Sequence, residues 1–106
     1  MSCTLVYATY PNDAEGKKAA SALIESRLAA CVAILPGVTS VYRWEGEVRQ
    51  DAEVVLFVKT DAKIRQKVID FMVKNHPYKV PCVLAMEVVD GHMPYLAWVQ
   101  GETAGT

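Results

Sequence analysis

Arg27-Leu-Ala-Ala-Cys-Val-Ala-Ile-Leu-Pro-Gly-Val-Thr-Ser-Val-Tyr-Arg-Trp-Glu-Gly-Glu47 is the stretch that decides the fold. It opens as the end of a helix and passes into an apolar strand over 31–35. A break at Pro36-Gly37 follows, then an aromatic and charged strand over 38–44. The break is read as a bulge or kink within one strand direction. At Glu45-Gly46-Glu47 the glycine can supply the positive φ of a hairpin tip, so the chain turns back there. A hairpin this long, with Tyr42 and Trp44 near its tip, reaches past what a chain of 106 residues can cover. It calls for a partner, most simply another copy of itself, and any site can then draw on more than one subunit.

Outward from this hairpin the pattern alternates. Leu5 to Tyr10 is β-rich and ends at Pro11. Asn12 can cap a helix, with Glu15 in a capping-box position. Ala20, Leu23, Ile24 and Leu28 recur at helical spacing, and Lys17, Lys18, Glu25 and Arg27 take the other face. After the turn, 48–59 returns with Val54 to Val58 as its apolar centre. Asp61 can cap a second helix whose buried stripe is Ile64, Val68, Phe71 and Met72, stopped by Asn75 and Pro77. A fourth strand spans 83–89 and Gly91 breaks it. Tyr95, Leu96, Trp98 and Val99 suggest a short helix opening near Pro94. The tail from Gly101 to Thr106 reads as a frayed end.

The order β-α-β-β-α-β-α predicts an α+β fold: a ferredoxin-like βαββαβ sandwich, a long hairpin between its second and third strands, and a short C-terminal helix. Two helices would then cover one sheet face and leave the other bare. Neighbouring apolar residues, Val6 beside Tyr7 and Val55 beside Leu56, imply burial on both faces, so a second subunit should cover the bare one.

Bulk properties narrow the function classes. The chain reads as one domain, 1–106, with 52% hydrophobic residues and a formal net charge of -1. That balance argues against a protein whose main task is binding nucleic acid. No apolar run approaches a membrane span, and the start lacks a signal-peptide pattern. Three cysteines at wide spacing (Cys3, Cys31, Cys82) are not a disulfide framework. They fit free thiols in a reducing cytoplasm.

Five motifs stand in the order and spacing of one family. They are Arg27-Leu-Ala-Ala-Cys-Val, Ser40-Val-Tyr-Arg-Trp-Glu-Gly, Val58-Lys-Thr, His76-Pro-Tyr-Lys-Val-Pro and Tyr95-Leu-Ala-Trp. The chain resembles the CutA divalent-cation tolerance family over nearly its whole length. The resemblance implies a ferredoxin-like subunit in a homotrimer, with the long hairpin reaching a neighbour. It also implies a role in tolerance of, and response to, copper and other divalent metals. Departures stand beside the matches. Cys82 and Lys79 occupy positions where family members often carry Glu. The ligands of a copper-binding bacterial member map onto Ala8, Asn75 and His76, and only His76 is retained.

Candidate site residues fall into two groups. Copper or another divalent cation would need imidazole or thiolate, and His76 with Cys82 are the metal candidates. Against this, His76 ends a helix, where it can answer the C-terminal dipole, and Cys82 can be a small filler. A subunit-cleft pocket for a small molecule is the second possibility, with Cys31, Tyr42, Trp44, Lys59 and Tyr78 as its residues. Packing competes for the aromatics, Trp44 and Trp98 above all, as buried subunit contacts. Lys59, at the end of a core strand, needs a partner such as Glu45 or Glu53, or a ligand. Glu45 and Glu47 could gather into an acidic cluster at a trimer's hairpin tips, or form a solvated turn.

The expected function is a cytoplasmic, non-enzymatic binding or signalling module for divalent-cation tolerance. The alternative is a sensor resembling PII-type signalling proteins, which bind small ligands in subunit clefts. RNA binding lacks the glycine-aromatic signature and basic surface. An acylphosphatase-like hydrolase lacks a glycine-rich cradle after the first strand, where Ala8-Thr9-Tyr10-Pro11-Asn12 stands instead.

Overall fold

Alternation along the strands sets two unlike sheet faces. The computed structural model describes residues 2–103. Its elements are β1 (Cys3–Tyr10), α1 (Asp13–Glu25), β2 (Cys31–Trp44), β3 (Glu47–Asp61), α2 (Arg65–Lys74), β4 (Val83–Val88) and α3 (Met93–Thr103). The strands form one four-stranded sheet in the order β2-β3-β1-β4, and each neighbouring pair is antiparallel. Even-numbered side chains of β1 and β3 (Val6, Ala8, Tyr10, Val54, Leu56, Val58) face α1 and α2. There they meet Ala20 and Leu23 of α1 and Val68 and Met72 of α2 in the main core.

Gly16 shows how tightly α1 seats. A Cβ built on it would lie 2.9 Å from Val54 Cγ2, so glycine is what lets the helix approach β3. Asn12 caps α1 by accepting from the Glu15 amide at 2.8 Å. At the other end the helix stops at Glu25, before Leu28. Arg27 adopts φ +60, its amide donates to Ile24 O, and the Leu28 amide donates to Leu23 O. This is a Schellman closure, and it swings Leu28 onto the core next to Leu23 from outside the helix. Ile24, expected in the buried stripe, stays exposed.

The second sheet face is not wholly bare. α3 lies on it at one end, where Leu96 and Val99 pack with Cys3, Ala30 and Val88. Gly101 to Thr103 belong to this helix, so the frayed tail expected from Gly101 does not begin there, and 104–106 lie outside the described residues. Beyond α3 the face continues through Tyr7 and Phe57, a cross-strand pair with ring centroids 5.9 Å apart, to exposed Leu84 and Met86 of the edge strand β4. Burial on both faces holds at Val55 and Leu56.

β2 and β3 project as an arm, and two glycines shape it. Glu45 (φ +50) and Gly46 (φ +81) form a two-residue turn between paired Trp44 and Glu47. Positive φ at both positions is the type I′ pattern, which matches the twist of the strands. The second glycine lies at the Pro36-Gly37 break. Leu35 pairs with Val55 and Val38 with Glu53, so β2 carries one extra residue, and Gly37 takes φ +74. Side chains alternate strictly, so this single insertion exchanges the two faces of β2 beyond it. Ser40, Tyr42 and Trp44 thereby join Arg49, Asp51 and Glu53 on the face away from α1 and α2. Asp61 caps a single 3₁₀ turn (Ala62–Ile64) ahead of α2, not α2 itself. No helix among the described residues is long and apolar enough to cross a membrane.

Candidate functional site

The loop between α2 and β4 passes the end of β1, and His76 anchors it. The His76 Nδ1 accepts from the Tyr78 amide at 3.0 Å, so the neutral ring carries its proton on Nε2. That proton points to Thr9 O, 2.8 Å away. The ring stacks on Tyr10 (centroids 4.2 Å, interplanar angle 25°) and leans on Tyr78. Burial holds the imidazole below its ordinary value, partly opposed by the Thr9 carbonyl and by Glu53 and Glu15. In the same stack burial, with Glu15 nearby, pushes the Tyr10 phenol up to about 12. His76 thus ties the loop to β1; it does not answer the helix dipole.

Anchored this way, the loop closes a cavity of about 540 Å³ against the arm. Tyr42, Trp44 and Tyr78 line it as aromatic walls, with Asp51, Glu53 and Cys82 among the polar groups. The Tyr78 hydroxyl donates to Glu53 Oε2 at 2.7 Å, joining loop to arm. The Tyr42 hydroxyl donates to Asp51 on the same strand pair. Burial raises the Tyr78 phenol, as does its bond to Glu53. The bond to the Asp51 carboxylate raises that of Tyr42 first, since a carboxylate favours the phenol that can donate to it. Burial, then the charge of Glu53, raises the Cys82 thiol and keeps it protonated. A cavity of this size with aromatic walls and a few polar groups is typical of small-molecule sites.

The five residues expected in one pocket separate. Tyr42, Trp44 and Tyr78 meet at the cavity, together with Cys82 from the metal candidates. Cys31 and Lys59 lie elsewhere, as a cross-strand pair at the base of β2 and β3. There Lys59 Nζ donates to Cys31 Sγ at 3.7 Å, so Lys59 pairs with neither Glu45 nor Glu53. Tyr95 also bonds to this thiol, and burial, then Cys31, raises its phenol. His76 backs the cavity but spends both ring nitrogens inside the protein, leaving no lone pair for a metal. Among the described residues no three His, Cys, Asp or Glu side chains are grouped to hold a metal ion.

At the hairpin tip, Glu45 accepts from Trp44 Nε1 at 2.9 Å and Glu47 pairs with Arg49 at 3.8 Å. Both tip carboxylates are engaged locally. Trp44 and Trp98, expected as buried subunit contacts, are 39% and 44% exposed in the single chain. Asp51 and Arg49 were not anticipated as site residues, and Glu53 was considered only as a partner for Lys59. Their signal lay in the strand itself: polar residues at 49, 51 and 53 replace the apolar residues of one face beyond Val55.

Relatives agree over the whole domain. Residues 4–102 match the family model described as CutA1 divalent ion tolerance protein. The chain is 42% identical over 99 residues to the divalent-cation tolerance protein CutA of Thermus thermophilus, covering 93% of this chain and 96% of that one. It is 40% identical over 102 residues to protein CutA of Homo sapiens, covering 96% of this chain but 57% of the human protein. The curated human, Arabidopsis thaliana and rice relatives are thus nearly twice as long as the part this chain matches. The crystal structure of CutA1 from Oryza sativa superposes with a TM-score of 0.93 at 41% identity, covering 97% of this chain and 94% of that one. With motifs, sheet order and relatives in agreement, the chain belongs to the CutA1 divalent ion tolerance family.

Proposed function

We propose that this chain serves divalent-cation tolerance as a ligand-binding module, not as an enzyme, and that its ligand occupies the cavity between the arm and the α2–β4 loop. The observation that carries the reading is the Tyr78–Glu53 bond, which joins those two elements across the cavity while His76 is committed to holding the loop. A molecule bound there touches both elements, so its presence is felt by the arm. The subunit is ferredoxin-like and works as a homotrimer. Supporting this, an apolar face remains open beyond α3, with Leu84 58% exposed. Cys3, Cys31 and Cys82 are free thiols, which suits a cytoplasmic setting.

Direct capture of copper by His76 and Cys82 is the competing reading. It requires a free imidazole nitrogen and a thiolate, whereas this ring is saturated and this thiol is held protonated. Calorimetric titration of Cu²⁺ into the reduced protein separates the two. The expected result is that His76→Ala and Cys82→Ala leave any copper isotherm unchanged, while a cavity ligand raises the melting temperature. A tight copper site weakened by either substitution would restore the direct metal centre.

A further inference from the structure

Glu53 indicates the chemistry of the cavity's ligand. It is 8% exposed, and Tyr78 supplies its hydrogen bond. Among the described residues no Lys, Arg or His side chain forms an ion pair with it. A carboxylate removed from water calls for a positive charge or a full set of donors to answer it. Asp51 adds a second carboxylate two residues along the same face of β3, and its hydrogen bond also comes from a tyrosine. Each acid group is thus held in place by a phenol and offers its remaining lone pairs to the cavity.

The walls favour the same sign of charge. The faces of Tyr42, Trp44 and Tyr78 carry the negative side of an aromatic quadrupole, which attracts ammonium groups. Cys82 adds no further anion, because its thiol stays protonated. Arg49 and Lys79 also line the cavity; both are exposed, as is Asp51, and Arg49 lies 3.8 Å from the Glu47 carboxylate. A bare metal ion is a poor match, since two carboxylates with no third ligand grouped beside them fall short of a coordination shell. An ammonium with an organic substituent uses both features, charge against the acids and carbon against the rings.

Resting on the cavity reading above, we infer that the cavity binds a small organic ammonium ion, its charged head between Glu53 and Asp51 and its apolar part along Tyr42, Trp44 and Tyr78.

The test uses the full chain in its native assembly, with Trp98→Phe so that Trp44 is the remaining tryptophan. Benzyltrimethylammonium is titrated against Trp44 fluorescence, with benzenesulfonate as the anionic counterpart. The expected result is saturable quenching by the cation alone, weakened at least tenfold in both Glu53→Gln and Asp51→Asn. Glu53→Gln keeps an acceptor for Tyr78, and its circular dichroism and melting curve report that the fold is retained. Cation affinity in the two variants equal to that of the Trp98→Phe parent would overturn the charge assignment. Binding of benzenesulfonate instead, lost in Arg49→Gln, would overturn the ammonium ligand and leave the cavity reading standing. No response to either probe would overturn both.

Discussion

At the scale of single residues, His76 matters most because its two nitrogens close a local circuit: Tyr78 amide to Nδ1, Nε2 to Thr9 O. The circuit works only with a neutral ring. Burial sets the folded imidazole below the ordinary 6.5, so the unfolded chain takes up a proton first as the pH falls. The stability that neutral His76 confers is therefore full above about pH 6.5 and is lost as the pH drops through the lower folded value. Urea midpoints measured between about pH 7.5 and 5 should show this fall, and His76→Gln should remove its share of it. The residue was visible in the sequence as the start of a motif. Its saturation was not, because both partners are backbone groups, one of them on β1.

At the scale of elements, turn and cap chemistry explains most boundaries, and one position carries strain that can be measured. Arg27 closes α1 in the left-handed region, where glycine is usual. A side chain there costs about 1 kcal/mol. Its guanidinium donates to Gly101 O at 3.2 Å and lies 3.9 Å from Glu102, linking the turn after α1 to α3, but at exposed positions. Such links contribute about 0–1 kcal/mol. Arg27→Gly should therefore stabilise the fold by about 0.5 kcal/mol, whereas Arg27→Ala keeps the backbone strain and loses the links. Paired thermal melts check the two directions; a glycine variant less stable than the alanine one would mean that strain is not the larger effect. Gly37 is the other element-scale device. No atom crowds it, so its φ of +74 alone explains the glycine, and through it the exchanged faces of β2.

At the scale of the whole molecule, the sheet has one face sealed by α1 and α2 and another that α3 covers at one end only. Leu35, Leu84 and Met86 are exposed on that second face. Their exposure is a liability that association with further copies would remove. Light scattering should give three times the chain mass of 11.7 kDa for the native protein. Leu84→Arg combined with Met86→Arg should lower that mass toward one chain, because burying two new charges without partners costs several kcal/mol. A native mass of one chain would remove the trimer from the account.

What the sequence determined by itself is what neighbours along the chain decide. Strand and helix order follow from periodicity. The Asn12 cap and the Glu45-Gly46 turn follow from contacts within three or four residues. Tertiary structure alone decided which side chains share a site. The extra residue at Pro36-Gly37 sends Tyr42 and Trp44 to the face of Glu53, and the loop held by His76 brings Tyr78 to meet them. Cys31 and Lys59, equally plausible on paper, pair with each other at the base of the same strands. The physical reason is that a one-residue change of register reverses every side chain beyond it, and register is settled between strands, not within one.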